Sequence, residues 1–460
     1  MKDLTEKKLT VKDYLLVASM LFALFFGAGN LIFPLHLGQL SGQHWLPAAL
    51  GFLVTGVLLP LMSVLAIALT KSRGVYDIGL PLGPSFALVF MVLIHATIGP
   101  LFGTPRTATV SFAVGFAPLI PAKFQTPALL IFSAIFFTIA FLISYTESKI
   151  VSNLGKLLNP IFLALLFLFF TVAFLHPLGN PMKVAATSAY NNGAFINGFL
   201  EGYNTLDALA GLAFGVTVVT AVKSMGYKKP ASVAKVTAKA GLVGMSAVAV
   251  IYLLLIVTGA MSLGEFKVSA DGGVAFSQLV NAYAGVIGQA FLAVLITLTC
   301  LTTAVGLVAA FAQDFHKHFP KVSYHQWLFL SSFASFLTAN VGLAQIISWS
   351  TPILMFLYPL AMVLLFLSVF SSFFKKNSFV YLTTIVMTFI PAFLDMVAAA
   401  PSLVTQSAMG KSLLTLRSYL PLADLGLSWL IPAILGFSFG LLVYRYHLAG
   451  KQKVIVEAED

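Results

Sequence analysis

The hydrophobic pattern of this chain consists of long apolar runs separated by short polar connections. Runs long enough to cross a bilayer recur about twelve times, since a membrane-spanning helix needs about 20 mostly apolar residues. No charged segment between these runs is long enough to fold as a separate soluble domain. The pattern therefore predicts an all-α integral membrane protein that forms one polytopic domain.

Two of the predicted spans are interrupted near their middle by glycines and polar residues. The first span, residues 12–38, carries FFGAGNLIFP, with Gly27, Gly29 and Asn30 at its centre. The sixth span, residues 195–222, carries NGFLEGYNTLDALAG. Irregular backbone at membrane depth is tolerated only where it lines a cavity, so both interruptions predict discontinuous helices around a binding site. The alternative for the glycines is close packing of a neighbouring helix.

The spans divide into two sets of five, followed by two further spans. Because each set holds an odd number of spans, the second set enters the membrane from the opposite side and is inverted relative to the first. The predicted boundaries are a tail at 1–11, a first set at 12–176, a second set at 195–373, two additional helices at 379–446 and a tail at 447–460. The interrupted spans, first and sixth, occupy corresponding places.

Composition agrees with a membrane protein, because 59% of the residues are hydrophobic and 9% are charged. The net charge of +11 is compatible with nucleic-acid binding, but most lysines and arginines fall in alternate connections. That distribution predicts that both termini lie in the cytoplasm, and it predicts contact with membrane lipid rather than nucleic acid. The single cysteine, Cys300, excludes a disulfide within the chain.

Three threonines lie on one face of the eighth predicted span. Thr299, Thr302 and Thr303 have the i, i+3, i+4 spacing of neighbours on a helix. Their hydroxyl and carbonyl oxygens are hard donors that suit a small hard cation. The alternative is that the hydroxyls bond back to carbonyls one turn earlier, which needs no ion.

Three sequence blocks occur in order along the chain: FFGAGNLIFP from Phe25, GTPRTATVSF from Gly103 and EGYNTLDALAG from Glu201. With these blocks the chain resembles the branched-chain amino acid:cation symporters, the BrnQ or LIVCS family, over nearly its whole length. The resemblance implies the five-plus-five inverted-repeat fold of bacterial leucine transporters. It also implies Na+-driven uptake of leucine, isoleucine and valine across a bacterial plasma membrane. A proton-coupled permease, or a symporter of another small apolar amino acid, is the alternative.

The resemblance also implies which residues bind the ion and the substrate. Under it, the carbonyls of Ala23 and Phe26 bind one Na+ together with Thr299, Thr302 and Thr303. Asn30 and Thr205 contribute to a possible second Na+ site. The expected substrate-binding residues are Phe26, Gly27, Ala28, Gly29, Asn30, Glu201, Tyr203, Asn204, Thr205 and Asp207.

Arg106, Glu201 and Asp207 are ionisable residues inside predicted spans, where an unpaired charge costs a few kcal/mol. We hypothesise that one acid pairs with Arg106 as a gate or strut, while the other positions the substrate ammonium or a cation. The alternative is a purely structural ion pair. His95, in the third span, is a candidate proton relay, although a lone histidine more often serves packing.

Two other function classes find little support in the residues. A membrane enzyme needs convergent catalytic groups, and the 8 histidines and 1 cysteine form no recognisable constellation. A channel needs a selectivity filter, and no filter-like sequence is visible. We therefore expect a carrier with no enzymatic activity and no obligate protein partner, and the resemblance implies Na+ as its coupling ion.

Overall fold

The structure is a computed structural model that describes residues 10–27, 29–145, 150–227 and 229–459. Every regular element in those ranges is a helix. Eight helical stretches there are long and apolar enough to cross a membrane, and the shorter apolar helices Pro160–Leu175 and Leu430–Tyr446 accompany them. The prediction of an all-α membrane protein is confirmed, whereas the number of about twelve spans stays a prediction.

The first half of the chain contains a kink in the third span. Its helices are α1 (Val11–Phe25), α2 (Gly29–Ser41), α3 (Trp45–Leu53), α4 (Leu59–Thr70), α5 (Val75–Gly79), α6 (Pro84–Ala96), α7 (Gly103–Ser111), α8 (Ala122–Tyr145) and α9 (Ile150–Leu175). Between α6 and α7 the backbone leaves helical geometry at Gly99, with ψ −120°, just before Pro100. Proline removes a helical hydrogen bond, and this loss accounts for the kink.

The second half contains a break in its longest helix that the sequence pattern did not indicate. Its helices are α10 (Ser188–Glu201), α11 (Asp207–Ser224), α12 (Pro230–Ser262), α13 (Gly272–His318), α14 (Tyr324–Ala339), α15 (Leu343–Val369), α16 (Ser378–Ala398), α17 (Ser402–Thr405), α18 (Ala408–Ser418) and α19 (Leu430–Glu459). Gly285 has φ 61° within α13, so the eighth predicted span, 277–313, is broken near its start. Glycine adopts this positive φ without a steric cost.

Both interruptions of the sequence are breaks in the helices. The chain leaves α1 at Phe26, with φ −87° and ψ 93°, and becomes helical again at Gly29. After α10, one 3-10 turn over Gly202–Thr205 and a left-handed residue, Leu206 with φ 64°, precede α11. The predicted discontinuous first and sixth helices are therefore confirmed, and Ala28 lies outside the described residues.

The four half-helices pack in an inverted arrangement. Helices α1 and α2 both contact α12, the seventh span, whereas α10 and α11 contact α3 and α4, the two parts of the second span. Each of these crossings places a glycine against the neighbouring backbone or side chain. The glycines are Gly244 of α12 against α1, Gly259 and Gly38 between α2 and α12, Gly51 and Gly198 between α3 and α10, and Gly211 of α11 against α4. The first span thus packs against the seventh, and the sixth packs against the second. Inverted repeats are expected to relate these two pairs to each other, because the first span corresponds to the sixth and the second to the seventh.

Gly259→Ala is expected to lower the melting temperature of the purified protein, because α2 leaves no room for a methyl group. A Cβ at Gly259 would lie 2.0 Å from the Leu35 carbonyl oxygen. Overpacking of this kind costs about 1–3 kcal/mol. The matched control is Gly306→Ala, since a Cβ there has no atom within 4 Å. Equal melting temperatures for both variants would contradict the close approach of α2 and α12.

Candidate binding site at the two helix breaks

A cavity of about 440 Å³ lies where the two broken helices meet. It brings together many of the residues singled out from the sequence. The predicted residues that line it are Ala23, Phe26, Gly27, Gly29, Asn30, Arg106, Asn204, Thr205, Asp207, Thr302 and Thr303. Three predicted residues, Glu201, Tyr203 and Thr299, are not part of the lining. The location of the cavity supports the interpretation of the breaks as a binding site.

A hydrogen-bonded cluster joins the two breaks across the protein interior. The Asn30 amide nitrogen donates to Asp207 Oδ2 at 2.7 Å, and the Tyr252 hydroxyl donates to the same oxygen at 3.0 Å. Asn30 also contacts the Tyr252 hydroxyl. All three side chains are at most 4% exposed. A carboxylate this deeply buried is costly unless charge-assisted bonds compensate it, and Asn30 and Tyr252 provide two.

Asn30 also explains why carbonyls at the end of α1 remain open. The Gly27 N–H donates to Asn30 Oδ1 at 3.0 Å instead of to Ala23, its partner in a continuous helix. The Asn30 N–H donates to the Gly27 carbonyl at 3.2 Å instead of to Phe26. The last carbonyls of a helix have no intrahelical partner. The carbonyls of Ala23 and Phe26 are therefore available to a ligand.

The threonine face of α13 lies against this end of α1. A Cβ built on Gly27 would lie 3.8 Å from Thr303 Cγ2, so the eighth span directly contacts the break. The hydroxyls of Thr302 and Thr303 donate to the Thr299 carbonyl at 2.7 and 3.2 Å, as the back-bonding alternative describes. Each hydroxyl oxygen can still accept or coordinate through its lone pairs. Thr299 contributes its carbonyl to these bonds and does not reach the cavity.

Arg106 lines the cavity and lies near a stacked pair of tyrosines. The Arg106 guanidinium donates to the Asn204 carbonyl at 2.8 Å and also bonds to the hydroxyl of Ser350 on α15. Next to it, the rings of Tyr203 and Tyr358 stack with centroids 4.2 Å apart. None of the ion pairs among the described residues joins Arg106 to Glu201 or Asp207. The hypothesised pairing is not present in this conformation.

The rest of the cavity is mostly apolar. Its wall includes Phe25, Phe214 and Leu307, and its far end reaches Thr217 and Gln313. A cavity with polar groups at the breaks and an aliphatic or aromatic wall suits a small amphipathic molecule.

Sequence reasoning did not identify several partners of the site. Tyr252 and Ser350 belong to α12 and α15, where single hydroxyl residues in apolar helices carry no distinguishing signal. His95 was noticed, but its partner was not: His95 Nε2 lies 2.7 Å from Asp314 Oδ2, beside the end of the cavity. Within the described part of the chain, no three His, Cys, Asp or Glu residues form a metal-binding group.

Comparison with known proteins identifies the family. The profile of the family described as branched-chain amino acid transport protein matches residues 10–447. The chain belongs to this family. The branched-chain amino acid permease BrnQ of Lactobacillus delbrueckii subsp. lactis is 40% identical over 436 residues, which cover 94% of this chain and 97% of the relative. The permease of the same name from Escherichia coli (strain K12) is 36% identical, over 97% of this chain and 98% of the relative.

Solved structures support the fold of this family member. The inward-facing conformation of Mhp1 matches with a TM-score of 0.60 at 14% identity, covering 94% of this chain and 91% of that protein. A closed conformation of Mhp1, a nucleobase-cation-symport-1 family transporter, matches with a TM-score of 0.56 at 11% identity. The resemblance found in the three sequence blocks is confirmed. The relatives are permeases, so the chain belongs among transporters and not among enzymes.

Proposed function

We propose that this protein imports leucine, isoleucine and valine by symport with Na+ through alternating access. The curated relatives are named branched-chain amino acid permeases over nearly the full length of both chains. The proposal places the substrate in the cavity between the two breaks. The orientation with both termini in the cytoplasm of a bacterium, and the repeat boundaries at 12–176 and 195–373, belong to the same proposal.

The cavity offers separate environments for the parts of an amino acid. The positive end of the α2 dipole lies at Gly29, where it attracts a carboxylate. Asp207 provides a negative charge for the ammonium group, and the apolar wall accepts an aliphatic side chain. One methylene in such a wall is worth only about 1–3 kcal/mol, so leucine, isoleucine and valine are expected to compete with one another.

The observation that carries Na+ coupling is the oxygen donor set at the end of α1. Two carbonyls without intrahelical partners, from Ala23 and Phe26, line the same cavity as the hydroxyls of Thr302 and Thr303. Neutral oxygen donors of this type suit a hard monovalent cation, whereas a transition metal prefers imidazole or thiolate. Asn30 and Thr205, with Asp207 beside them, are proposed as part of a second Na+ site.

Uptake by purified protein in liposomes tests the proposal directly. We expect labelled leucine to accumulate under an inward Na+ gradient and to be displaced by isoleucine and valine. Moving one Na+ with a neutral zwitterion transfers one charge, worth about 2.3 kcal/mol per 100 mV, or about fifty-fold accumulation. The measurement is the steady-state ratio of leucine inside to outside at a set membrane potential.

The same liposomes with K+ in place of Na+, or with a proton gradient alone, are the controls. Neither is expected to sustain accumulation. Full uptake driven by protons without Na+ would contradict the ion assignment and would direct attention to Asp207 and to the His95–Asp314 pair. Failure to recognise any branched-chain amino acid would contradict the substrate assignment.

A further inference from the structure

The Arg106 guanidinium is buried with most of its hydrogen-bonding capacity unused. Arg106 is 3% exposed, and its partners among the described residues are the Asn204 carbonyl and the Ser350 hydroxyl. A guanidinium carries five N–H donors, so three remain without a partner, including the buried Nε–H. Buried donors are normally satisfied, and these three therefore indicate a missing acceptor.

Arg106 also forms no direct ion pair within the described part of the chain. The acids nearest in the site, Glu201 and Asp207, are absent from the ion pairs within 4 Å that the described residues form. The Phe33 ring, with its centroid 5.0 Å from the guanidinium carbon, offers only a cation–π contact. A buried charge without an anion costs several kcal/mol, which an anionic group entering the adjacent cavity would offset.

The start of α2 lies next to this guanidinium. A Cβ built on Gly29 would lie 4.0 Å from the Asn204 carbonyl oxygen, which itself accepts from Arg106 at 2.8 Å. The Gly27 N–H, which points to the break, is already bonded to Asn30. Two backbone donors of the break, the Gly27 and Asn30 N–H groups, are therefore occupied, and Arg106 is a charged donor beside the break.

We propose that Arg106 binds the carboxylate of the transported amino acid. This inference rests on the proposed function, and it makes Arg106 the residue that selects a free carboxylate. Arg106 and Asp207 line one cavity without neutralising each other. The pair therefore provides separated positive and negative charges for the two ends of a zwitterion. Because Arg106 also bonds to Asn204 and Ser350, the carboxylate binds where these two residues hold the guanidinium.

Equilibrium binding of leucine and leucinamide to the purified protein tests this assignment. Leucinamide keeps the ammonium and the side chain but carries no negative charge. Truncating one partner of a buried charge pair costs about 2–5 kcal/mol, so wild-type protein is expected to bind leucinamide at least about 100-fold more weakly than leucine. In Arg106→Gln the two ligands are expected to bind within about tenfold of each other, because only leucine loses a partner.

Arg106→Lys and Arg73→Gln complete the design. Lysine keeps the charge but not the planar fork, so in Arg106→Lys the ratio of leucine affinity to leucinamide affinity is expected to lie between those of wild type and Arg106→Gln. Arg106→Lys replaces Arg106→Gln if the latter does not fold. Arg73 pairs with Asp77 at an exposed position. Arg73→Gln is therefore the control, and its ratio of leucine affinity to leucinamide affinity is expected to equal that of wild type. Melting temperatures establish that each variant is folded.

The outcomes separate this inference from the proposed function. If Arg106→Gln binds leucine and leucinamide with nearly equal affinity, and its leucinamide affinity stays close to that of wild type, the result supports Arg106 as the carboxylate partner. Equal weakening of both ligands, or loss of both in a folded protein, overturns it and makes Arg106 a strut. Wild-type protein that binds leucine and leucinamide equally also overturns it. Wild-type protein that binds no branched-chain amino acid contradicts the proposed function itself.

Discussion

Asp207→Asn is expected to weaken leucine binding by at least about 100-fold while the protein remains folded. Asparagine has the same shape as aspartate, and its oxygen can still accept from Asn30 and Tyr252. The substitution therefore removes the charge and keeps the cluster that joins the two breaks. A buried charge partner of an ammonium group or a cation is worth about 2–5 kcal/mol. Leucine binding at saturating Na+, with the melting temperature measured in parallel, checks the prediction.

Glu201→Gln and Tyr252→Phe are the controls for this prediction. Glu201 is the second acid near the break, but it does not line the cavity, so its neutral variant is expected to keep leucine affinity within about threefold. Tyr252→Phe removes one of the two bonds to Asp207 and is expected to cost about 1 kcal/mol, or about fivefold. If Glu201→Gln lost binding and Asp207→Asn did not, the roles of the two acids would be reversed.

The breaks could be predicted from sequence because membrane chemistry makes them conspicuous. Glycines and an asparagine at the centre of a span, as at Gly27 to Asn30, conflict with the requirement for an intact helix in lipid. The two interrupted spans occupy corresponding positions, which also predicted the inverted repeat. The structure confirms both features. Periodicity alone did not show that the eighth predicted span is broken near its start, at Gly285.

The partners of the site residues could not be predicted, because they depend on how helices rotate and cross. The sequence left open whether Glu201 or Asp207 faces the substrate, and only the left-handed residue Leu206 and the 3-10 turn before it place Asp207 on the cavity. The sequence also suggested an acid as the partner of Arg106, whereas in the structure the guanidinium donates to the Asn204 carbonyl. Such contacts join residues far apart in the chain.

The double variant Thr302→Ala/Thr303→Ala is expected to raise the Na+ concentration for half-maximal leucine uptake by about 10–100-fold. Each hydroxyl is expected to contribute about 0.7–1.5 kcal/mol as an oxygen ligand, the range of a net polar interaction in a protein. Their removal leaves the carbonyls of Ala23 and Phe26, which are too few for a stable cation site. Uptake rates at fixed leucine across a Na+ series, with choline replacing Na+, measure the shift.

Thr297→Ala is the matched control, because it separates an ion ligand from a threonine that only bonds back to its helix. Thr297 lies on α13 and donates to the Ala293 carbonyl at 2.7 Å, as Thr302 does to Thr299, but it does not line the cavity. Its variant is therefore expected to keep the wild-type Na+ dependence. If both variants kept it, the hydroxyls on this face would serve the helix alone, and the coupling ion would have to bind at Asn30, Thr205 and Asp207. Thr303→Ser, with Thr302 intact, keeps both hydroxyls and removes only a methyl group. Wild-type Na+ dependence in this variant would show that the hydroxyl rather than the methyl group accounts for the shift seen in the double variant.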